Sequence, residues 1–212
     1  FLDHTTPFHQ DYVHFQSKKQ ITTWIPLGDC DIELGGLGIL PNSHKKRLKH
    51  EFSLGAGNLK INSEIKSNSV YTTNYKCGDL LIFDVNLIHG ALPNYTDQKI
   101  RLSLDNRFQE IGHPVAEHLL EPHLFDQSKI GWDEIYKNWE DSDDNLKYYW
   151  KKYDHQILKR DEQYIELAVD DAINKAYSNQ KDALNFLNRL QKLDPESKYG
   201  KKASETLLAI NN

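Results

Sequence analysis

The feature that most restricts this chain is a change of texture partway along it. Up to about residue 111 it is a series of short β-rich runs: "DYVHFQ", "ITTWIPLG", "LGILPNS", a stretch around "SVYTTNY", "DLLIFD", "LIHGALP" and "IRLSLDNRF". They are divided by turn-forming stretches such as "GDCDIELGG", "PNSHKK", "CGD" and "PNYTDQK", so helical periodicity is scarce and an all-β sandwich or barrel is expected. Beyond Arg160 the period changes: "IELAVDDAINKAY", "DALNFLNRLQKL" and "KASETLLAI" carry apolar residues at three- and four-residue intervals, with "DPES" as a break. Between the two, "WDEIYKNWEDSDDNLKYYWKKYDHQIL" mixes aromatic and charged residues and reads as one or two helices laid on the β body.

The expected organisation is a β core over 1–111, an aromatic-rich helical segment over 112–159 packed on it, and a C-terminal helical appendage over 160–212. A chain of 212 residues can bury a real core. Its net charge of −5 argues against nucleic acid as a partner, and no apolar run is long enough to cross a membrane. Cys30 and Cys77 are too few for a disulfide framework and read as buried small apolar residues of a reducing, cytoplasmic compartment. With Phe1 first and no methionine, the chain reads as one whose N-terminal part lies outside the given sequence.

Chemistry is concentrated in a few positions. His9 and Asp11 stand two apart in a run read as a strand, where side chains at i and i+2 share a face and can share an ion. Alone, such a pair reads more readily as a strand-edge histidine bonded to a carboxylate. His89, which follows a strongly strand-forming run and precedes a glycine that lets backbones approach closely, can supply a third ligand. Two imidazoles and one carboxylate on one face of an octahedron are the ligand set of non-haem iron(II). In "IRLSLDNRF", Ile100, Leu102 and Leu104 lie on one strand face and Arg101, Ser103, Asp105 and Arg107 on the other. An inward-pointing guanidinium needs an anion, and its planar fork suits a carboxylate; an internal salt bridge from Arg101 to Asp105 is the plainer alternative.

The segments "HQDY", "TTWIPLGDCDIELGGLGILPNSHK", "GDLLIFD", "HGALPN" and "RLSLDNRFQ" together resemble the phytanoyl-CoA dioxygenase family of iron(II)- and 2-oxoglutarate-dependent oxygenases over residues 4–109. The resemblance implies a mainly β double-stranded β-helix, a cupin-like jelly roll, followed here by the helical extension. It also implies iron ligation by His9, Asp11 and His89, a grip on the distal carboxylate of 2-oxoglutarate by Arg101, and Trp24 as a wall of that pocket. Some members have Ser where this chain has Ala91, which makes Ser103 or a water the substitute candidate. Gln10 and Tyr12, which flank Asp11, are the substrate-side candidates. The activity implied is hydroxylation of an unactivated C–H bond of a small organic molecule, using O2 and releasing succinate and CO2. Asp11 favours this over halogenation, for which related enzymes replace the carboxylate with a small residue.

Two other classes stay open: a cupin-like metalloenzyme that does not use 2-oxoglutarate, and a non-catalytic β-barrel interaction module. The helical tail is a candidate for self-association. His44 reads as a turn residue, "HPVAEHLLEPH" as no metal site, and His4 and His14 as possible pocket lining.

Overall fold

A computed structural model describes residues 5–17, 19–52, 59–66, 69–122, 129–140, 142, 144–159 and 163–211. A three-stranded antiparallel sheet is built by β1 (Gln20–Pro26), β5 (Leu81–Asp84) and β7 (Ser103–Gln109), in the order β5-β1-β7. β2 (Leu37–Ile39) pairs antiparallel with β6 (His89–Ala91), and β3 (His50–Phe52) with β4 (Leu59–Ile61). β8 (Val115–Ala116) and β9 (Ile157–Leu158) form a short parallel pair.

The register of β1 fixes which side chains meet. Thr22 stands opposite Phe83 on one side and Arg107 on the other, and Trp24 stands between Leu81 and Asp105. Opposed residues in an antiparallel pair share a face, so Thr22, Arg107, Trp24 and Asp105 all lie on the same side of this sheet. Trp24 and Phe83 contribute to a core with Cys30, Leu34, Leu37, Tyr75 and Leu87. The opposite face carries Ile21, Ile82, Leu104 and Phe108, each exposed.

The chain before β1 departs from expectation. "DYVHFQ" does not continue as a strand: Tyr12–Phe15 is a single helical turn, α1, begun by Asp11 in the αR region and ended by Gln16 in the left-handed region. The Asp11 carbonyl accepts from the amides of His14 and Phe15, so local helical bonds replace the sheet ladder that Val13 and Phe15 favour. The stretch around "SVYTTNY" is also no strand; it makes isolated bridges, Tyr71 to Ile39 and Tyr75 to Cys30. The aromatic segment contains less helix than its composition suggests: α2 (Trp132–Tyr136) and a 3-10 turn over Tyr149–Lys152. Cys30 is buried, but Cys77 is exposed on the turn before β5, and both are free thiols.

The tail folds as its period predicts. α3 (Gln163–Tyr177), α4 (Lys181–Leu193) and α5 (Lys198–Asn211) pack together around Ala168, Ala172, Ala176, Ala183, Leu187, Ala203 and Leu207. Alanine on the facing stripes lets the helix backbones come close. At the α4–α5 turn a Cβ on Gly200 would sit 1.9 Å from the Asp194 carbonyl oxygen, so only glycine fits. α3 also rests on β3.

Candidate metal centre

Residues 6–9 run antiparallel beside β6. The amide of His9 donates to the His89 carbonyl (2.9 Å), that of His89 returns to His9 (3.1 Å), and that of Ala91 donates to Thr6 (2.9 Å). This approach depends on Gly90, where a Cβ would lie 3.0 Å from the Phe8 backbone. The pairing places His9 and His89 side by side, with ring centroids 4.5 Å apart. The α1 turn that follows brings the Asp11 carboxylate back beneath them: Oδ1 lies 3.2 Å from His9 Nε2 and 3.5 Å from His89 Nε2. All three side chains are buried, and their ligand atoms fall within 4.8 Å of one another; no other such group occurs among the described residues. A strand is therefore not what aligns His9 with Asp11. A one-residue bridge followed by a helical turn has the same effect.

Which imidazole nitrogen is available follows from the neighbours. Nδ1 of His9 faces the Pro7 carbonyl at 2.8 Å and Nδ1 of His89 faces the Leu87 carbonyl at 2.9 Å. A carbonyl can only accept, so both Nδ1 atoms carry hydrogen and both Nε2 atoms are directed at Asp11. Two such nitrogens and a carboxylate oxygen converging in a buried place repel one another unless a cation, either a proton or a metal, lies among them. The donor set and its spacing fit a divalent first-row metal.

The other carboxylate oxygen is already held. Asp11 Oδ2 accepts from Thr22 Oγ1 (2.8 Å) and from Arg107 Nη2 (3.3 Å). Burial raises the Asp11 carboxyl, but the hydrogen bond with His9 and the electrostatic pull of His89 and Arg107 outweigh it and hold the group well below the usual carboxylate range. Burial pushes His89 down to about 4.

The remaining sequence-derived candidates are placed differently. Arg101 precedes β7, donates from Nη1 to Ser103 Oγ (2.9 Å) and lies over the Trp24 ring, 5.5 Å from its centroid. No carboxylate among the described residues forms an ion pair with it, so the alternative salt bridge to Asp105 is not made. Trp24 is buried and packs edge-on against Tyr75.

Gln10 requires a correction. Its side chain is fully buried and engaged by backbone, with Nε2 donating to the carbonyls of Lys46 (2.8 Å) and Asn86 (2.5 Å) and Oε1 accepting from the Leu48 amide (2.8 Å). An amide saturated by backbone is a strut and has nothing left for a substrate. Tyr12 is engaged by the same loop, donating its hydroxyl to the Leu48 carbonyl, with Arg47 over its ring.

His14 lies 6.2 Å from the His9 ring, ring centre to ring centre. His44 sits exposed in the 3-10 turn Ser43–Lys45. His113 bonds Glu110 and His118 donates to the His14 carbonyl, so neither joins a metal cluster; His4 and His123 fall outside the described residues. Sequence reading missed Thr22 and His50. Thr22 shares a strand face with Trp24, a signal that was present in "ITTWIP". His50 had none: its Nε2 accepts from the Gln10 amide across 40 residues of chain.

Residues 3–103 match the family model described as Phytanoyl-CoA dioxygenase (PhyH). The chain is 27% identical over 124 residues to the 1-deoxypentalenic acid 11-beta-hydroxylase of Streptomyces exfoliatus, a match covering 53% of this chain and 42% of that protein. It therefore spans less than half the length of that curated relative. Among solved structures, EvdO2 from Micromonospora carbonacea var. aurantiaca is 24% identical with a TM-score of 0.39, over 49% of this chain and 42% of that one. The epimerase SnoN, solved with Fe3+, alpha ketoglutarate and nogalamycin RO, is 20% identical with a TM-score of 0.38, over 49% and 41%.

Proposed function

We propose that this chain carries the catalytic centre of an Fe(II)- and 2-oxoglutarate-dependent dioxygenase that hydroxylates an unactivated C–H bond of a small organic substrate. On this reading the sheets belong to a double-stranded β-helix over 1–111. The observation that carries it is the convergence of His9 Nε2, His89 Nε2 and Asp11 Oδ1 in a buried place, with both Nδ1 hydrogens bonded to backbone carbonyls. His9, Asp11 and His89 would hold the metal. Iron bound there supplies the activation of O2 that drives oxidative decarboxylation of 2-oxoglutarate to succinate and CO2.

The chain's own residues do the rest. Pro7 and Leu87 carbonyls orient the two imidazoles, and Thr22 and Arg107 hold Asp11 Oδ2, leaving Oδ1 for the metal. Arg101, half-buried against Trp24 and with no acidic partner among the described residues, would take a carboxylate of the co-substrate through its guanidinium fork. Ser103 holds that guanidinium in position. Trp24 closes the apolar side and excludes water.

The experiment is succinate release under aerobic Fe(II) and 2-oxoglutarate, measured with Fe(II) binding by equilibrium dialysis. His9→Ala and His89→Ala are expected to abolish both. Turnover persisting in both variants rejects the assignment, whereas metal binding without succinate points to a metalloenzyme that does not use 2-oxoglutarate.

A further inference from the structure

The segment between β8 and α3 builds a second concavity whose chemistry the metal centre does not use. Trp132 stacks on Tyr136, with centroids 5.3 Å apart and planes inclined by 18°, and lies 5.1 Å from Trp150; Tyr148 joins the cluster at 5.0 Å from Tyr136 and 5.7 Å from Trp150. The rings are pinned at their polar ends: Trp132 Nε1 donates to the Leu120 carbonyl (2.6 Å) and the Tyr148 hydroxyl donates to Asp133. Trp132, Tyr148 and Trp150 border an open cavity of about 690 Å³, large enough for a small organic molecule.

Charge decides what such a cavity accepts. Glu121, Asp133 and Asp154 line it against one cation, Lys151, and neither Glu121 nor Asp154 has an ion-pair partner among the described residues. The Lys151 ammonium lies 4.0 Å from the centre of the Tyr148 ring, so an ammonium group already occupies one aromatic face. An anion would meet an excess of negative charge. A neutral polyol would leave both carboxylates uncompensated.

We propose that this cavity binds an alkylated ammonium ion, whose weakly hydrated N-alkyl groups lie against the Trp132 and Trp150 faces while Asp154 supplies counter-charge. The site needs no iron, so it stands or falls independently of the oxygenase reading.

The test is titration of the full chain with tetramethylammonium at constant ionic strength, read by intrinsic fluorescence and by calorimetry. Two of the chain's four tryptophans line the cavity. Saturable binding is expected, weakened at least about fivefold in Asp154→Asn and in Trp150→Leu and tightened in Lys151→Ala, which frees the Tyr148 face and removes a like charge. Asp154 is exposed, so Asp154→Asn keeps the fold and its melting temperature even should Trp150→Leu fail to fold. The proposal is overturned by no saturable signal, by unchanged affinity in Asp154→Asn, or by an equal response to methyl glucoside, which would make the cavity a carbohydrate site.

Discussion

Arg107 donates from Nη2 to Asp11 Oδ2 across 3.3 Å, reaching from β7 over the Thr22 position of β1 to a carboxylate 96 residues earlier in the chain. The contact exists because Thr22 and Arg107 are register partners, and Thr22 donates to the same oxygen. A one-residue slip of β7 would turn Arg107 to the opposite face and leave Asp11 Oδ2 held by Thr22 alone.

From this pair comes the first prediction. Thr22→Val, which removes only the hydroxyl hydrogen bond, and Arg107→Lys, which keeps charge but not the fork, should each raise the metal dissociation constant by about 10- to 100-fold. Titration with Co(II) followed by its visible absorption gives the number. Wild-type affinity in both variants would mean that Asp11 orients itself unaided.

Arg101 should behave differently from Arg107, although the two lie on one strand face. Arg101→Ala is expected to raise the 2-oxoglutarate concentration needed for half-maximal turnover at least about tenfold while leaving metal affinity unchanged, because it touches Ser103 and Trp24 and no metal-side group. Steady-state kinetics combined with the Co(II) titration separates the two arginines. An unchanged requirement would remove Arg101 as the anchor.

Gln10→Ala should be costly although Gln10 bonds no ligand. Three part-buried backbone groups, the carbonyls of Lys46 and Asn86 and the amide of Leu48, would lose their partner, a loss of about 2–4 kcal/mol in urea unfolding. Gln10→Glu should not rescue it, since a carboxylate has no hydrogen to give the two carbonyls.

His50 gives the chain a dependence on acid. Burial, its largest influence, pushes the imidazole down to about 4; the Leu48 carbonyl bonded to Nδ1 works the other way and His9 adds to the depression. The unfolded chain protonates this histidine near its ordinary value of 6.5, before the folded chain does, so stability is full above about 6.5 and falls as pH drops towards 4. Below 6.5 the melting temperature should decline, and His50→Gln, which can still accept from the Gln10 amide but cannot take a proton, should make that decline shallower. An identical slope in the variant would assign the acid sensitivity to other groups.

The three helices after residue 160 were legible because their apolar stripes recur every three to four residues, a signal contained within each segment. The alternation around Arg101 likewise announced β7, and the glycine after His89 announced the close approach that residue 8 makes at Gly90. Tyr12–Phe15 misled because β-branched and aromatic residues favour strands in isolation, whereas here the Asp11 carbonyl caps a helical turn. β3 and β4 went unread, since three-residue strands are too short to display a period.

By itself the sequence determined the two textures, the candidate ligands His9, Asp11 and His89, and an arginine in need of an anion. Only the tertiary structure decided that Thr22 and Arg107 hold one oxygen of Asp11, that Gln10 and His50 brace the loops behind it, and that Arg101 is not consumed by Asp105. Periodicity is written locally, one residue to the next. Strand register and the meeting of distant loops are set by which long-range pairings offset the entropy of closing the chain between them, and no short stretch of sequence contains that balance.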